Sequence, residues 1–215
     1  METNELIRAW QDSEKSLEKL WTLNLKCIEM VQSQKAKSKL NSLAIFKLFA
    51  VALGIIYVLF LGLLVYETRL RNLYFSISFG LIILINLIAL KVYIKHIILI
   101  REINYSENLV ITQQKIAALQ LSTLSIGRVL WLQLPLWTTW FWNTHWIVYN
   151  SLNFWLIPFP ITLIFVLLAL WLYKNISLEN SRKKWFRVLF SSTEWGSIVR
   201  AMAFMKEIEA FKKND

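Results

Sequence analysis

Residues 48–90 read LFAVALGIIYVLFLGLLVYETRLRNLYFSISFGLIILINLIAL, and this stretch decides the fold. Leu48–Tyr66 is 19 residues without a charge, Glu67-Thr68-Arg69-Leu70-Arg71-Asn72 is a polar break, and Leu73–Leu90 is another 18 uncharged residues. At about 1.5 Å of rise per residue, an apolar helix of roughly 18 residues or more crosses the ~30 Å hydrocarbon core of a bilayer. The pair therefore predicts a transmembrane hairpin. Small residues four apart, Ala50 with Gly54 and Ser76 with Gly80, allow close helix approach in lipid, and a Gly62–Gly80 contact is expected in the half nearer the break. Asn86 is the one strongly polar side chain deep in the second run. It predicts an interhelical hydrogen bond.

Two further uncharged runs lie downstream. Val129–Tyr149 carries Trp131, Trp137, Trp140, Trp142 and Trp146, with Pro135 near its middle. Tryptophan favours the headgroup boundary and a mid-helix proline costs a backbone hydrogen bond, so this segment is expected to be a kinked span that ends in an aromatic belt. Phe154–Tyr173 forms the fourth run, with Pro158 and Pro160 near its start, where missing donors cost least. A chain of 215 residues that is 56% hydrophobic, with mean hydropathy +0.46, needs lipid as solvent for so much apolar surface. The fold class expected is all-α: a polytopic membrane protein with four transmembrane helices and amphipathic cytosolic helices.

Charge sets the expected orientation. Of 24 Lys and Arg, 22 fall before the first run, between the second and third, or after the fourth; only Arg69 and Arg71 occupy the first connection and none the third. Basic residues gather on the cytoplasmic side of membranes, so both termini and the long middle connection are expected in the cytosol. The expected organisation is a cytosolic amphipathic helical arm over 1–42, a transmembrane hairpin over 43–94 and a cytosolic helical hairpin over 95–128. Spans three and four occupy 129–173, and a cytosolic basic amphipathic tail 174–215.

The arm repeats Leu6, Trp10, Leu17, Leu20, Trp21, Asn24, Ile28 and Val31 at three- and four-residue steps, with charged residues on the other faces. Large apolar side chains on a solvated helix must meet something, so Leu6, Trp10, Leu17, Trp21 and Ile28 are the expected partner-binding residues. Lys35, Lys37 and Lys39, followed by Lys47, read as an anchor that snorkels to anionic headgroups. Arg182, Lys183 and Lys184, interleaved with Trp185 and Phe186, form a second such group. Beside a span, these basic groups point to the bilayer rather than to nucleic acid.

Past Leu90 the second helix is expected to emerge through the headgroups, leaving His96 at the interface. Residues Asn104-Tyr105-Ser106-Glu107-Asn108 supply turn and cap chemistry. A helix over about Glu107–Ser125 should follow, bearing Leu109, Ile116, Leu119 and Leu124, with Gly127 and Arg128 marking its end. In the tail, Ser191-x-x-Glu194 resembles a capping box that opens a helix carrying Trp195, Ile198, Met202, Met205 and Phe211.

Little in the chain suggests catalysis. Cys27 is the single cysteine, the two histidines His96 and His145 fall on opposite sides of the expected membrane, and no Asp or Glu lies inside any uncharged run. Neither a catalytic dyad, a metal site nor a cofactor site is expected, and proton- or cation-coupled transport lacks its usual carboxylate.

The segment Glu5-Leu6-Ile7-Arg8-Ala9-Trp10-Gln11, the approach Lys35-Ala36-Lys37-Ser38-Lys39 and the spans that follow resemble small uncharacterised bacterial multi-pass membrane proteins found beside alternative sigma factors, some suspected to be anti-sigma regulators. The resemblance covers about the first 70 residues and implies a cytosolic helical segment that holds a soluble protein at the membrane. The zinc-binding His and Cys cluster of better-known anti-sigma domains is not present in the sequence. Two functions follow as expectations: a non-enzymatic membrane regulator or scaffold that binds a cytosolic partner through amphipathic helices, or a small transporter or channel component whose Trp-rich third span lines a path. A homo-oligomer stays open under both.

Overall fold

The computed structural model describes residues 2–68, 71–103, 109–149, 151–190 and 193–213; the side chains of residues 2–6, 8, 9, 109, 151, 182, 193 and 211–213 fall outside it. The elements in chain order are α1 (Glu2–Thr68), α2 (Leu73–Arg101), α3 (Leu109–Trp131), α4 (Leu136–Thr139), α5 (Thr144–Tyr149), α6 (Ser151–Leu156), α7 (Pro158–Asn175), a 3-10 turn (Glu179–Arg182), α8 (Lys184–Leu189) and α9 (Thr193–Lys213). No strand occurs among the described residues.

Helix α1 is a single element of 67 residues, about 100 Å long at 1.5 Å per residue. Between Glu2 and Thr68 there is no proline, and the only glycines, Gly54 and Gly62, sit within the apolar run. Nothing in the sequence breaks the backbone ladder. The boundary expected at 42/43 is therefore not a joint, because the helix runs through it and Leu43 is buried. Asn72 then caps α2: its side chain accepts hydrogen bonds from the backbone N–H of Tyr74 (3.1 Å) and Phe75 (3.3 Å).

Three described stretches are long and apolar enough to cross a membrane: the apolar part of α1, α2, and Leu152–Asn175, which comprises α6 and α7. Most of their apolar side chains face outward, as a lipid-facing surface requires. The third uncharged run is not one kinked helix. After Trp131, backbone bonds drop to three-residue steps, from Leu132 to Val129 through to Thr138 and Pro135. Pro135 has no N–H to offer the Trp131 carbonyl and its ring crowds that carbonyl, so the chain tightens, leaving only the short helices α4 and α5. This broken segment still packs between its neighbours. Gln133, in the turn between α3 and α4, accepts from Asn86 at 3.2 Å, so the bond expected of Asn86 reaches a turn rather than a helix, and the Thr139 hydroxyl bonds that of Ser78 at 2.9 Å. Thr138 accepts from Thr162 of α7 at 2.9 Å.

Three apolar clusters stack along the long axis. The head joins Ala36, Leu40 and Leu43 of α1 to Ile100 and Ile103, Ile116 and Leu119 of α3, and Ile198, Ala201, Met205 and Ile208 of α9. The steps 36–40–43 and 198–201–205–208 keep one face of each helix inward. Each fully buried Leu or Ile there contributes about 1.5–3 kcal/mol relative to exposure in water. An aromatic neck follows, in which Phe186 and Trp195 pack with Leu124, Leu172 and Ile176. Leu61, Phe79 and Ile82 form the cluster near the Asn72 turn.

Several expectations change. Helix α3 runs on through Gly127 and Arg128 to Trp131, so Gly127 does not stop it. Its missing side chain instead admits the Phe190 ring, which would stand 3.3 Å from an added Cβ. The close glycine contact is at Gly54, where a Cβ would meet Leu90 Cδ2 at 2.8 Å; Gly62 and Gly80 have nothing within 4 Å. The turn over 104–108, Ser191 of the capping box and the side chains of Leu109 and Phe211 lie outside the described residues.

Candidate functional site: an overhanging arm and a buried polar cluster

Helix α9 lies antiparallel on α1. Lys47 meets Glu194, the Lys35 ammonium sits 5.8 Å over the Phe204 ring, and Gln32 donates to Glu207 at 2.7 Å. Beyond that pairing α1 continues alone: every side chain from Trp10 to Asn24 is exposed, and Leu25 is the first that is half-buried. Residues 10–24 thus form an exposed overhang of about 22 Å.

The expected partner-binding residues divide along this arm. Trp10 is 76% exposed, Leu17 64% and Trp21 49%. Ile28 is half-buried on the side facing α9, and the Leu6 side chain is outside the described residues. The tail residues Trp195 and Ile198 pack lower: Ile198 against residues 36–43 of α1 and Trp195 in the aromatic neck. Folding therefore leaves the large apolar side chains Trp10, Leu17 and Leu20 of the arm exposed.

The expected headgroup residues divide as well. Lys35 and Lys37 are exposed and Lys39 is half-buried; Lys37 stands ten residues above Lys47, about 15 Å along the helix. Lys183 and Lys184 are exposed, next to the end of α7 where Trp171 and Trp185 stack 5.0 Å apart. The Arg182 side chain is outside the described residues.

Lys47 does not snorkel. It is 0% exposed, donates to Glu194 Oε1 at 3.3 Å and lies 4.0 Å above the centre of the Tyr93 ring. The Tyr93 phenol also bonds the Glu194 carboxylate. An ammonium taken out of water needs a counter-charge, and this one receives a carboxylate and an aromatic face together. Glu194, in the first turn of α9, clasps α9 to α1. His96 is 1% exposed, packed inside the protein, sharing a 2.7 Å hydrogen bond between Nε2 and Ser122 Oγ and stacking on Tyr93. Its Nδ1 and the Thr123 hydroxyl are buried without partners, and Thr123, Tyr93 and Glu194 line a cavity of about 310 Å³ that extends to Trp131 and Trp137.

One signal for this cluster was present in the sequence. Residues 36, 40, 43 and 47 are in helical phase, so Lys47 continues a buried apolar face and must find a counter-charge there. No group of three or more His, Cys, Asp or Glu side chains able to hold a metal occurs among the described residues. In comparisons with protein-family models, curated proteins and solved structures, none matches this chain.

Proposed function

We propose that this chain is a non-enzymatic integral membrane regulator or scaffold that captures a cytosolic protein on the projecting arm of α1. The observation that carries the reading is the overhang, which presents large apolar side chains to water while every other long helix of the head packs into a common core. The resemblance to proteins encoded beside alternative sigma factors makes a sigma factor one fitting partner.

In this reading the chain crosses the inner membrane four times, with arm and tail in the cytosol. Charge supports the orientation, since 22 of 24 basic residues fall on that side. Contacts support the fourth crossing. The segment from Arg128 to Trp142 runs the length of α7: Arg128 Nε donates to the Ile176 carbonyl at one end, Thr138 meets Thr162, and Trp142 packs on Phe154 (4.9 Å) at the other.

Changing Trp10 and Trp21 together to Ala and comparing co-purifying proteins with those of wild type tests the function. Loss of the captured protein from a variant that still reaches the membrane is the expected result; unchanged capture overturns it. A transport path is the second reading. It draws on the polar row Ser78, Thr138, Thr139 and Thr162 inside the bundle.

A further inference from the structure

We propose that the arm of one chain pairs with the arm of a second copy as a parallel, two-stranded coiled coil. This rests on the reading above for the arm's location and names one occupant of its exposed face.

The seam is in heptad register. Placing Trp10 at an a position puts Leu17, Asn24 and Val31 at a, and Leu6, Ser13, Leu20 and Cys27 at d. Charges keep off that seam: Asp12, Lys15, Glu18, Lys19, Lys26 and Glu29 fall at b, c or f, and Glu14, at e, is the exception from Trp10 to Val31. The fold leaves the same seam open. Trp10, Ser13, Leu17, Leu20, Asn24, Cys27 and Val31 are all exposed, whereas Leu25, Ile28, Gln32 and Ala36, which turn toward α9, lie at b, e or f. Helix α9 therefore covers one flank of α1 and leaves the a and d positions open.

Two further facts select a second copy of this chain as the occupant. Copies held in one membrane with one orientation carry their arms the same way up, so a parallel pairing needs no rearrangement. Asn24 sits at a core a position, where a lone Asn favours parallel dimers in one register because only there can two Asn side chains bond each other. Serine at d and tryptophan at a weaken the pairing, so the membrane, by confining and aligning the two chains, supplies the concentration it requires. The flanking Ile7, Trp21, Leu23 and Met30, at e and g, would border the grooves of the paired arms, where a partner helix could dock.

Cys27 is the chain's single cysteine and falls at d, so the full-length protein carries its own probe. In vesicles at low protein density, a short bis-maleimide should join two copies into a species of twice 25.4 kDa. In a Cys27→Ser background, Leu20→Cys at d should restore the crosslink and Thr22→Cys at f should not. Asn24→Lys, which places two like charges in the seam, should abolish the crosslink at Cys27. Equal crosslinking at positions 20 and 22, or a dimer band unchanged by Asn24→Lys, overturns the proposal. The partner reading is separable: a Cys27 dimer in a protein that captures nothing supports self-pairing alone, and capture by a protein that forms no Cys27 dimer overturns self-pairing alone.

Discussion

Lys47 and Glu194 stand 147 positions apart in the chain and 3.3 Å apart in space. One ends the head segment of α1 and the other opens α9, so their pairing closes the helical head at its base.

Removing one partner of that pair should cost more than removing both. Lys47→Met leaves Glu194 against Tyr93 with no cation, a situation that destabilises proteins by about 3–5 kcal/mol, whereas an apolar replacement of the whole pair is often neutral. Thermal melts in detergent should show a large drop in Tm for Lys47→Met and substantial recovery in Lys47→Met with Glu194→Leu. A double variant no more stable than the single would show that the two charges are not coupled.

Glycine positions should differ in tolerance. At Gly54 a valine places its Cβ 2.8 Å from Leu90 Cδ2, so the Leu90 side chain must shift, an overpacking penalty of about 1–3 kcal/mol. At Gly62 and Gly80, with open space around each, valine should change stability by no more than about 0.5 kcal/mol. Equal losses at all three positions would contradict the observed helix contact.

Topology reporters fused after Asn41, Asn72, Ser106, Asn150 and Asn180 should read inside, outside, inside, outside, inside. An outside signal at Ser106 removes the proposed orientation, and a matching signal at Ser106 and Asn150 removes the crossing by the Trp-rich segment.

The two basic groups should contribute unequally to lipid binding. With residues 48–66 filling the hydrocarbon, Lys35 and Lys37 stand about 15–18 Å beyond Lys47 along α1, past the roughly 5–8 Å headgroup layer. Lys183 and Lys184 lie beside the end of α7. Changing the latter pair to Gln should reduce anionic-vesicle binding by about 1 kcal/mol per residue, and Lys35, Lys37 and Lys39 changed to Gln by less. The reverse order would place the bilayer surface higher on the arm.

The parts of the fold that were legible in the sequence depend on local pattern. Uncharged length marked α1, α2 and α7, and regular spacing placed Ile116, Leu119, Ile198 and Met205 on helix faces that the structure buries. What depends on distant neighbours was not legible. Gly127 has the composition of a helix stop, yet the Phe190 ring decides its use. Lys47 reads as an anchor until α9 arrives with Glu194. Pro135 announced a distortion but not its extent, nor that Gln133, Thr139 and Thr138 would find side-chain partners in the distant Asn86, Ser78 and Thr162.

The unbroken course of α1 has a mechanical consequence. A helix with no hinge from Glu2 to Thr68 behaves as a stiff lever whose fulcrum is the bilayer. Between Lys47 and Glu2 the shaft is about 68 Å long, so a change of tilt of about 20° sweeps its tip sideways by roughly 23 Å. Tilt responds to membrane thickness. A small adjustment of the span to its lipid would thereby be magnified into a large displacement of whatever the tip holds.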